Sequence, residues 1–346
     1  MKTQAAVLFE INQPLRIVDL EIPKLKRGQV LVDIAYSGIC HSQLNEIKGL
    51  KGEDKYLPHT LGHEGSGIVL EVGQDVAKVC LGDHVVLTWL KGDGSNIPSS
   101  VYQSTEGSIN SGAISVFLQK AVISENRLIP ISKNMPLKEA ALLGCAIPTG
   151  AGIVLNNAKI KAGQSVAVFG VGGIGLSAVM AAVAINAKTI ISIDVVDHKL
   201  QLAKQLGATH LINSSNDDPL KKIMDITCEE GVDFSIEAAG KKDTMEKAFQ
   251  SVRNGGGKCI IAGNLPNEEK ISLDPMDLIK GKNIVGTWGG EANPDKNIPK
   301  YVQWYQSGKM KLDKMITHEY KLKDINRVFD DLENGKVGRA IINTFD

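Results

Sequence analysis

A run of closely spaced glycines constrains the fold of this 346-residue chain more than any other feature. The glycines follow the apolar, strand-like run 165–169 and precede a stretch of small residues, 176–184. A strand that passes into a helix through such a loop leaves backbone N–H groups free at the helix N-terminus, where they can hold a pyrophosphate. The pattern predicts a dinucleotide-binding unit whose phosphate-binding glycines are Gly170, Gly172, Gly173 and Gly175.

The next strand-like run indicates which dinucleotide fits. It ends at Asp194, roughly 20 residues beyond the loop, where a carboxylate accepts hydrogen bonds from the adenosine ribose hydroxyls. The same carboxylate repels a 2′-phosphate, and the following Val195 and Val196 offer no positive charge. NAD is therefore predicted over NADP. The alternative, in which the glycines only form a tight strand-to-helix turn, does not explain an acid at this distance.

The two halves of the chain differ in their hydrophobic pattern. Before about residue 150, Val- and Ile-rich runs such as 30–35, 68–72 and 85–88 are separated by turn signals, which predicts an all-β region. From about residue 159, apolar runs alternate with helical stretches, which predicts a parallel sheet wrapped by helices. These later strands are predicted over 166–169, 190–193, 234–236, 259–262 and 284–285, with a helix over 323–333 and a last strand over 340–344.

Composition narrows the class of protein. Lys plus Arg equal Asp plus Glu at 39 each, so no basic excess indicates nucleic acid or an anionic membrane as a partner. The N-terminus does not read as a signal peptide, and no run of about 18 apolar residues indicates a membrane span. The cysteines are odd in number and widely spaced, which favours a reducing compartment, with the cytoplasm as the expected location. They stand at Cys40, Cys80, Cys145, Cys228 and Cys259.

Three soft metal ligands occur in glycine-rich settings in the first half: Cys40, His63 and Cys145. Two thiolates and an imidazole leave the fourth position of a tetrahedral zinc open to a substrate oxygen. Singly, each is as often a small buried hydrophobe or a core histidine, and the long intervals leave both interpretations open. A Lewis acid beside a hydride carrier would suit oxidation of an alcohol or reduction of a carbonyl.

Four strings carry a family resemblance: Gly-Ile-Cys-His-Ser at 38–42, Gly-His-Glu-Gly-Ser-Gly at 62–67, Gly-Cys at 144–145 and Val-Asp-Phe-Ser at 232–235. Over essentially its whole length the chain resembles the zinc-dependent alcohol dehydrogenases of the medium-chain dehydrogenase/reductase superfamily. The resemblance implies an α/β fold with a GroES-like, β-rich catalytic domain at 1–147. It also implies a Rossmann NAD-binding domain with a doubly wound parallel sheet at 148–287, a C-terminal return to the catalytic domain at 288–346, and an active-site cleft between the domains.

Position by position, the resemblance implies that Cys40, His63 and Cys145 bind the catalytic zinc. Glu64 matches an acid beside the metal that serves as an exchangeable ligand or tunes the zinc; its alternative is a buried carboxylate bonded to backbone amides. Ser42 matches the hydroxyl that takes the proton from the alcohol, and it could also cap a helix over 43–48.

The remaining matches concern the cofactor and the pocket. His41 matches a contact to the cofactor phosphates, Thr149 a nicotinamide contact, Lys199 an adenosine-ribose contact and Arg339 a pyrophosphate contact. Lys199 and Arg339 could each instead be a solvated surface charge. Trp89 and Thr287 match positions that line the substrate pocket, although Trp89 could belong to the core.

Three departures from the family pattern carry information. The segment 90–114 lacks the four cysteines that hold a second metal in some relatives, so one catalytic zinc and no structural zinc are predicted. Asn45 stands where many relatives end a proton relay with histidine, and an amide does not titrate near neutral pH. Gln43 replaces an aspartate oriented toward the zinc-bound histidine, so a charge is lost beside His63.

The sequence thus predicts an NAD- and zinc-dependent dehydrogenase that transfers hydride between an alcohol, or its aldehyde or ketone, and NAD, assembled as a homo-oligomer, a dimer or tetramer. Two alternatives stay open. A zinc-free quinone or enoyl reductase of the same superfamily would not need Cys40, His63 and Cys145 together. A non-catalytic dinucleotide-binding protein, such as a lens protein, would tolerate Asn45.

Overall fold

A computed structural model of the protein describes residues 1–266 and 268–344. The strands in these ranges are β1 (Lys2–Leu8), β2 (Arg16–Glu21), β3 (Gln29–Gly38), β4 (His59–Thr60), β5 (Glu64–Val72), β6 (His84–Thr88), β7 (Val101–Ser104), β8 (Gly107–Asn110), β9 (Lys120–Ser124), β10 (Leu128–Ile131), β11 (Ser165–Phe169), β12 (Thr189–Asp194), β13 (His210–Asn213), β14 (Phe234–Glu237), β15 (Lys258–Ile261), β16 (Asn283–Gly286), β17 (His318–Lys321) and β18 (Ala340–Asn343). The α-helices are α1 (His41–Ile47), α2 (Leu137–Ala140), α3 (Ala146–Gly152), α4 (Gly173–Ala184), α5 (Asp197–Leu206), α6 (Pro219–Ile226), α7 (Lys242–Gln250), α8 (Pro275–Ile279), α9 (Pro294–Gln306), α10 (Leu312–Met315) and α11 (Ile325–Glu333).

The chain divides into two compact units. The first contains Met1–Cys145, Asn293–Gln306 and 316–344, and the second contains Ala146–Ala292 and Ser307–Met315. Apolar helices are short in both. Within the described ranges no single helix has the length and apolar composition of a membrane span, and the bent pair Leu137–Gly144 and Ala146–Asn157 passes such a test only when its halves are counted together.

The first unit is rich in β-structure. Strands β1, β2, β7, β8 and β4 close a barrel, and a second sheet has the order β10-β6-β5-β3-β18-β17, with β9 paired to β3. The predicted strands at 30–35, 68–72 and 85–88 lie inside β3, β5 and β6. Between the layers lies a core in which Val32, Leu87, Phe117 and Leu118 are fully buried. This core fixes the ends of β3, β5 and β6 relative to one another.

The C-terminal helix closes this core with one face. Ile325, Val328, Phe329 and Leu332 recur at helical spacing and are all buried. The sequence predicts this helix over 323–333, whereas α11 begins at Ile325 because the preceding Leu322–Asp324 forms a separate 3-10 turn. The last strand is β18 (Ala340–Asn343), one residue shorter than predicted.

The second unit is a doubly wound parallel sheet. Its strand order is β13-β12-β11-β14-β15-β16, and each neighbouring pair is parallel. This is the strand order of a Rossmann fold, with the order reversing next to β11. The central strand β11 is buried almost completely, from Val166 to Phe169, as expected for a parallel strand covered on both faces. The predicted strands from 166 to 285 correspond to β11, β12, β14, β15 and β16 within one residue at each end.

Close packing of α3 on α4 sets the position of the glycine loop. A Cβ at Gly150 of α3 would lie 2.1 Å from the carbonyl oxygen of Ile174 and 2.6 Å from Cβ of Ser177, so only glycine allows this approach. Helix α4 begins at Gly173, inside the glycine loop and three residues before the stretch of small residues at 176–184, because Gly172 already occupies the N-cap position. The loop therefore passes directly into the helix N-terminus.

Candidate functional site

Three chain segments that are distant in sequence bring the soft ligands of the first unit together. Cys40 follows β3 and is the N-cap residue of α1, His63 directly precedes β5, and Cys145 ends the turn Ala141–Gly144. Strands β3 and β5 are antiparallel neighbours, and β5 pairs with β6. The hydroxyl of Thr88 in β6 donates to the carbonyl of Gly144 over 2.7 Å, which anchors the third segment.

The ligand atoms of Cys40, His63 and Cys145 all lie within 4.8 Å of one another. Nε2 of His63 is 3.1 Å from Sγ of Cys145, whose side chain is buried. Atoms bound to one tetrahedral zinc, with bonds of about 2.0 to 2.3 Å, are separated by about 3.3 to 3.8 Å. The three side chains thus fit a zinc ion with little movement, and their donor set of two sulfurs and one imidazole nitrogen is of the type that zinc prefers.

The pKa values of the two thiols are shifted in opposite directions. A hydrogen bond from Cys145 lowers the pKa of the Cys40 thiol well below its usual value against the effect of burial, and His63 and Arg339 lower it further. The same hydrogen bond, burial and the carboxylate of Glu64 raise the pKa of Cys145. A cation placed between the sulfurs would lower the pKa of both thiols, because it favours the thiolate form of each.

Glu64 and Arg339 form a buried ion pair beside the three ligands. Glu64 is completely buried, Arg339 is 5% exposed, and Nη2 of Arg339 contacts Oε1 of Glu64. Arg339 also donates to the carbonyl of Ile39 over 2.7 Å. Burial lowers the pKa of Arg339, but the charges of Glu64 and the thiols outweigh it and raise that pKa above its ordinary value. The alternative that Arg339 is a solvated surface charge is therefore wrong, because the guanidinium is enclosed and neutralises a carboxylate.

Two glycines make room for this carboxylate. A Cβ at Gly38 would lie 2.6 Å from Cδ of Glu64, and a Cβ at Gly144 would lie 2.7 Å from Cβ of Glu64. Glu64 thus stands beside the group formed by the two cysteines and the histidine, with its charge directed at Arg339. Its roles as an exchangeable ligand or as a residue that tunes the metal stay predictions.

Gln43 supports the ligands from α1. Its side-chain amide contacts Nδ1 of His63, and its Oε1 accepts the backbone N–H of Cys40 over 3.2 Å. The second bond completes a capping box at the start of α1. An uncharged amide therefore occupies the place beside His63 that was predicted to have lost a charge.

Ser42 lies in the first turn of α1, since the helix begins at His41 and Cys40 is its N-cap. The alternative role of Ser42 as the cap of a helix over 43–48 is therefore wrong. Its Oγ accepts a hydrogen bond from Nζ of Lys51 over 2.9 Å. No spacing or motif in the sequence indicates this contact. His41, in the same turn, is exposed, and Asn45 is half-buried.

The glycine loop of the second unit has the shape of a phosphate-binding turn. Gly170 has a φ of +86°, and a Cβ there would lie 2.7 Å from the backbone nitrogen of Ala239. A Cβ at Gly175 would lie 2.0 Å from the carbonyl oxygen of Gly170, so the turn closes on itself. A Cβ at Gly172 meets nothing within 4 Å. There is open space in front of a 12-residue helix N-terminus, which fits a pyrophosphate held by backbone N–H groups.

Asp194 ends β12 and supports the loop. Its Oδ2 accepts the backbone N–H of Val171 over 2.9 Å, and its Oδ1 accepts those of Val195 and Val196 over 2.8 and 3.1 Å. Asp194 is partly exposed, so it is accessible to a ligand. Lys199 is also partly exposed.

The remaining predicted residues are Thr149, Thr287 and Trp89. Thr149 lies in α3 and is 7% exposed. Thr287 donates its hydroxyl to Oδ1 of Asn157 over 2.9 Å, and Trp89 is half-buried at the end of β6. Their roles at the nicotinamide and in the substrate pocket stay predictions.

Comparison with protein families gives two matches. Residues 26–133 match the alcohol dehydrogenase GroES-like domain, and residues 173–307 match the zinc-binding dehydrogenase domain. The first match contains Cys40, His63 and Glu64, and the second begins inside the glycine loop at Gly173.

Individual proteins are similar over the full length. The S-(hydroxymethyl)glutathione dehydrogenase of Synechocystis sp. is 36% identical over 370 residues, covering 99% of this chain and 100% of that protein. Among solved structures, the benzyl alcohol dehydrogenase of Acinetobacter calcoaceticus has a TM-score of 0.90 at 31% identity, and an alcohol dehydrogenase zinc-binding domain protein of Burkholderia ambifaria has a TM-score of 0.93 at 31% identity. Both comparisons cover 100% of both chains.

Proposed function

This chain belongs to the zinc-dependent alcohol dehydrogenases of the medium-chain dehydrogenase/reductase superfamily, and from that membership we propose that Cys40, His63 and Cys145 hold one catalytic zinc. The enzyme is an oxidoreductase that acts on an alcohol or aldehyde and uses zinc and a nicotinamide dinucleotide. The observation that carries the proposal is the convergence of the three ligand atoms within 4.8 Å. When bound, zinc would supply a Lewis acid to the substrate oxygen, and NAD would accept hydride.

We propose the following roles for the protein's own residues. Ser42 takes the proton of the substrate hydroxyl at its Oγ, and Glu64 tunes the metal site while paired with Arg339. Gln43 orients His63. In the second unit, Gly170–Gly175 hold the pyrophosphate through backbone N–H groups and Asp194 binds the adenosine ribose. His41, Thr149 and Lys199 contribute further contacts to the cofactor, as does Arg339.

The direct test is a panel of alcohols and aldehydes followed by NADH absorbance, with the zinc content measured on the same sample. Benzyl alcohol and S-(hydroxymethyl)glutathione belong in the panel because two relatives carry these names. We expect turnover of at least one alcohol and a zinc-to-chain ratio near one, since 90–114 contains no cysteine for a second ion. A ratio near two, or turnover that survives complete removal of zinc, would contradict the proposal.

NAD is proposed over NADP because Asp194 repels a 2′-phosphate. Replacing Asp194 with Ser should lower the preference for NAD by about 10- to 100-fold, since repulsion and ribose bonds are lost together. The measurement is kcat/KM with both cofactors. A native enzyme that works better with NADP would show that Asp194 has another role.

The proton path begins at Ser42. General acid–base help is worth roughly 10²- to 10⁴-fold in rate, so Ser42→Ala should reduce kcat by that order. Asn45 can only orient a water, so Asn45→Ala should cost less than about tenfold. Near-normal kcat in Ser42→Ala, or a collapse in Asn45→Ala, would place the proton path elsewhere.

We also propose a homo-oligomer, with the cytoplasm as its location. Strand β16 lies at the end of the parallel sheet, and apolar side chains are exposed on and near it. They are Met276, Leu278, Ile279, Val285 and Trp288. An exposed strand edge with an apolar surface favours pairing with a second copy of the chain. Light scattering should give a dimer or tetramer, and Val285→Lys should shift the mass toward the monomer; a native monomer would exclude this part of the proposal.

We also propose that the domain boundaries lie at 147 and 287, as predicted from the sequence. The compact units change at 145/146 and 292/293, and 307–315 groups with the second unit. Limited proteolysis should cut first near 291–293, where Glu291 and Asn293 are exposed, and not near 145/146, where Ala146 and Ile147 are buried in α3.

A further inference from the structure

We propose that Lys51 exchanges the reaction proton between Ser42 and solvent, in the place that Asn45 cannot fill. The inference rests on the proposed role of Ser42. Nζ of Lys51 is 2.9 Å from Oγ of Ser42, a normal length for a charge-assisted hydrogen bond. Since ammonium groups only donate, Lys51 donates to a lone pair of Ser42 and leaves the Ser42 O–H free to face another acceptor.

Lys51 is also held in place and connected to water. Its Nζ is 2.9 Å from Oε2 of Glu46 in α1, and the Lys51 side chain is 45% exposed. Lys51 is thus bonded on one side to the hydroxyl of Ser42 and on the other to the carboxylate of Glu46, with part of its side chain open to solvent. A proton that reaches Nζ can leave directly to bulk water, which Asn45 does not allow because its amide holds its protons at all accessible pH values.

The proton balance is complete with these groups. When a carbonyl is reduced, the O–H bond of Ser42 breaks and gives its proton to the substrate oxygen, and Oγ regains a proton from the ammonium of Lys51. The neutral amine then takes a proton from water. When an alcohol is oxidised, the transfers run in the reverse order: the ammonium of Lys51 first releases a proton to solvent, the neutral amine then takes the proton of Ser42, and Oγ of Ser42 takes the proton of the substrate hydroxyl. Lys51 acts through Ser42 and is therefore a positioning residue rather than a group that touches the substrate.

Other charged groups lie near Lys51. Glu46 faces it directly, and Oε1 of Glu46 is 3.9 Å from Nε2 of His59, which is 2.8 Å from Oδ2 of Asp54. Lys48 of the same segment contacts Glu333 instead of Ser42. Lys48 therefore provides a matched control, a lysine three residues away that lacks the hydroxyl contact.

The test compares Lys51→Met, Lys51→Arg and Lys48→Met. We expect Lys51→Met to lower kcat at least about tenfold with KM changed less than about threefold, and to remove one ionisation from the pH profile of kcat. Lys51→Arg restores the charge and the donor, but guanidinium does not release its proton, so kcat recovers in part while that ionisation stays absent. Lys48→Met should keep both the native kcat and the native pH profile.

Two further measurements distinguish a failure of the role of Lys51 from a failure of the role of Ser42. Zinc content and the NADH dissociation constant, followed by NADH fluorescence, should be native in every lysine variant, because Lys51 holds neither group. Ethylamine in the buffer should restore part of kcat in Lys51→Ala, and Lys51→Met should add no further loss to Ser42→Ala. If Ser42→Ala slows the enzyme but Lys51→Met retains native kcat and its pH profile, this inference is wrong and the proposed function stands. If Ser42→Ala is itself native, the role of Ser42 and this inference both fail.

Discussion

The metal cluster of the first unit and the glycine loop of the second are built on opposite principles. The cluster consists of side chains that come from three distant segments, and its charges are buried and balanced by Arg339. The loop is one continuous stretch whose binding groups are backbone N–H groups, and its supporting carboxylate, Asp194, accepts N–H groups alone in the described contacts. A site made of side chains is sensitive to side-chain deletion, whereas a site made of backbone is sensitive to the addition of a single methyl group.

The largest effect should follow from a deletion in the cluster. Cys145→Ser removes a soft ligand, and loss of the Lewis acid should reduce kcat/KM by on the order of 10³-fold. Elemental analysis should show zinc lost in parallel, while NADH binding by the second unit is retained. Cys80→Ser, at an exposed cysteine, serves as the control. Full activity with bound zinc in Cys145→Ser would remove the contrast between the two regions.

The buried ion pair of Arg339 and Glu64, beside the metal cluster, should give the next largest effect, which is on the free energy of unfolding. Arg339→Met leaves Glu64 charged and buried without its partner, which costs about 3 to 5 kcal/mol. The double variant with Glu64→Gln should recover part of this loss, because the uncompensated charge is gone. Arg16→Met, which breaks the exposed pair with Glu106, should cost less than about 1 kcal/mol. Urea unfolding measures all three, and equal costs for the two arginines would contradict the assignment.

Glycine-to-alanine substitutions, each of which adds one methyl group, test the glycine loop. Gly175→Ala forces Cβ against the carbonyl oxygen of Gly170 and should destabilise the protein by about 1 to 3 kcal/mol. Gly172→Ala meets open space and should leave Tm unchanged without cofactor, yet weaken NADH binding because the methyl group occupies the pyrophosphate space. Thermal unfolding and fluorescence titration distinguish the two effects. Native NADH affinity in Gly172→Ala would show that the phosphates lie elsewhere.

The smallest effect concerns the second unit's own buried carboxylate. Glu237 at the end of β14 lacks a cationic partner among the described contacts, and its Oε1 accepts from the N–H groups of Ala239 and Gly240. Burial raises the pKa of Glu237 above its ordinary 4.5 despite these bonds. The folded state therefore holds a proton that the unfolded chain releases, so this contribution to stability is present below pH 4.5 and is lost as pH rises through the raised pKa.

Glu237→Gln should remove that pH dependence at a cost or gain of roughly 1 kcal/mol or less. The measurement is the free energy of unfolding at pH 5 and pH 8, and the native protein should lose more stability than the variant between these values. The same pH change should leave the Glu64 pair intact because its partner is a guanidinium. A variant with the same pH dependence as the native protein would show that Glu237 is ionised in the fold.

These regions also differ in how far the sequence predicts them. The loop and Asp194 lie within one βαβ unit, formed by β11, α4 and β12, so the local pattern is sufficient to place the strands and the acid, and only the start of α4 shifts. The cluster depends on strand pairing between β3, β5 and β6, which residue spacing does not encode; the resemblance, not the intervals, selects Cys40, His63 and Cys145. Contacts between side chains at long separation were not predictable, as with Arg339, whose partner Glu64 is 275 residues away. Lys51 was missed because its role depends on the path of a turn after α1.

The three backbone bonds to Asp194 have a consequence for how cofactor preference can change. A small neutral residue at this position discards the charge and, with it, the acceptor that fastens Val171, Val195 and Val196. Replacing Asp194 by such a residue in one step, by natural mutation or by design, is therefore expected to weaken the loop at the same time as it removes the repulsion of NADP. Asparagine removes the negative charge and keeps part of this support, because its amide oxygen can still accept the N–H groups of Val195 and Val196, whereas its amide nitrogen cannot accept that of Val171. Drift toward the phosphorylated cofactor is expected to pass through Asn at 194 before arginine is recruited nearby.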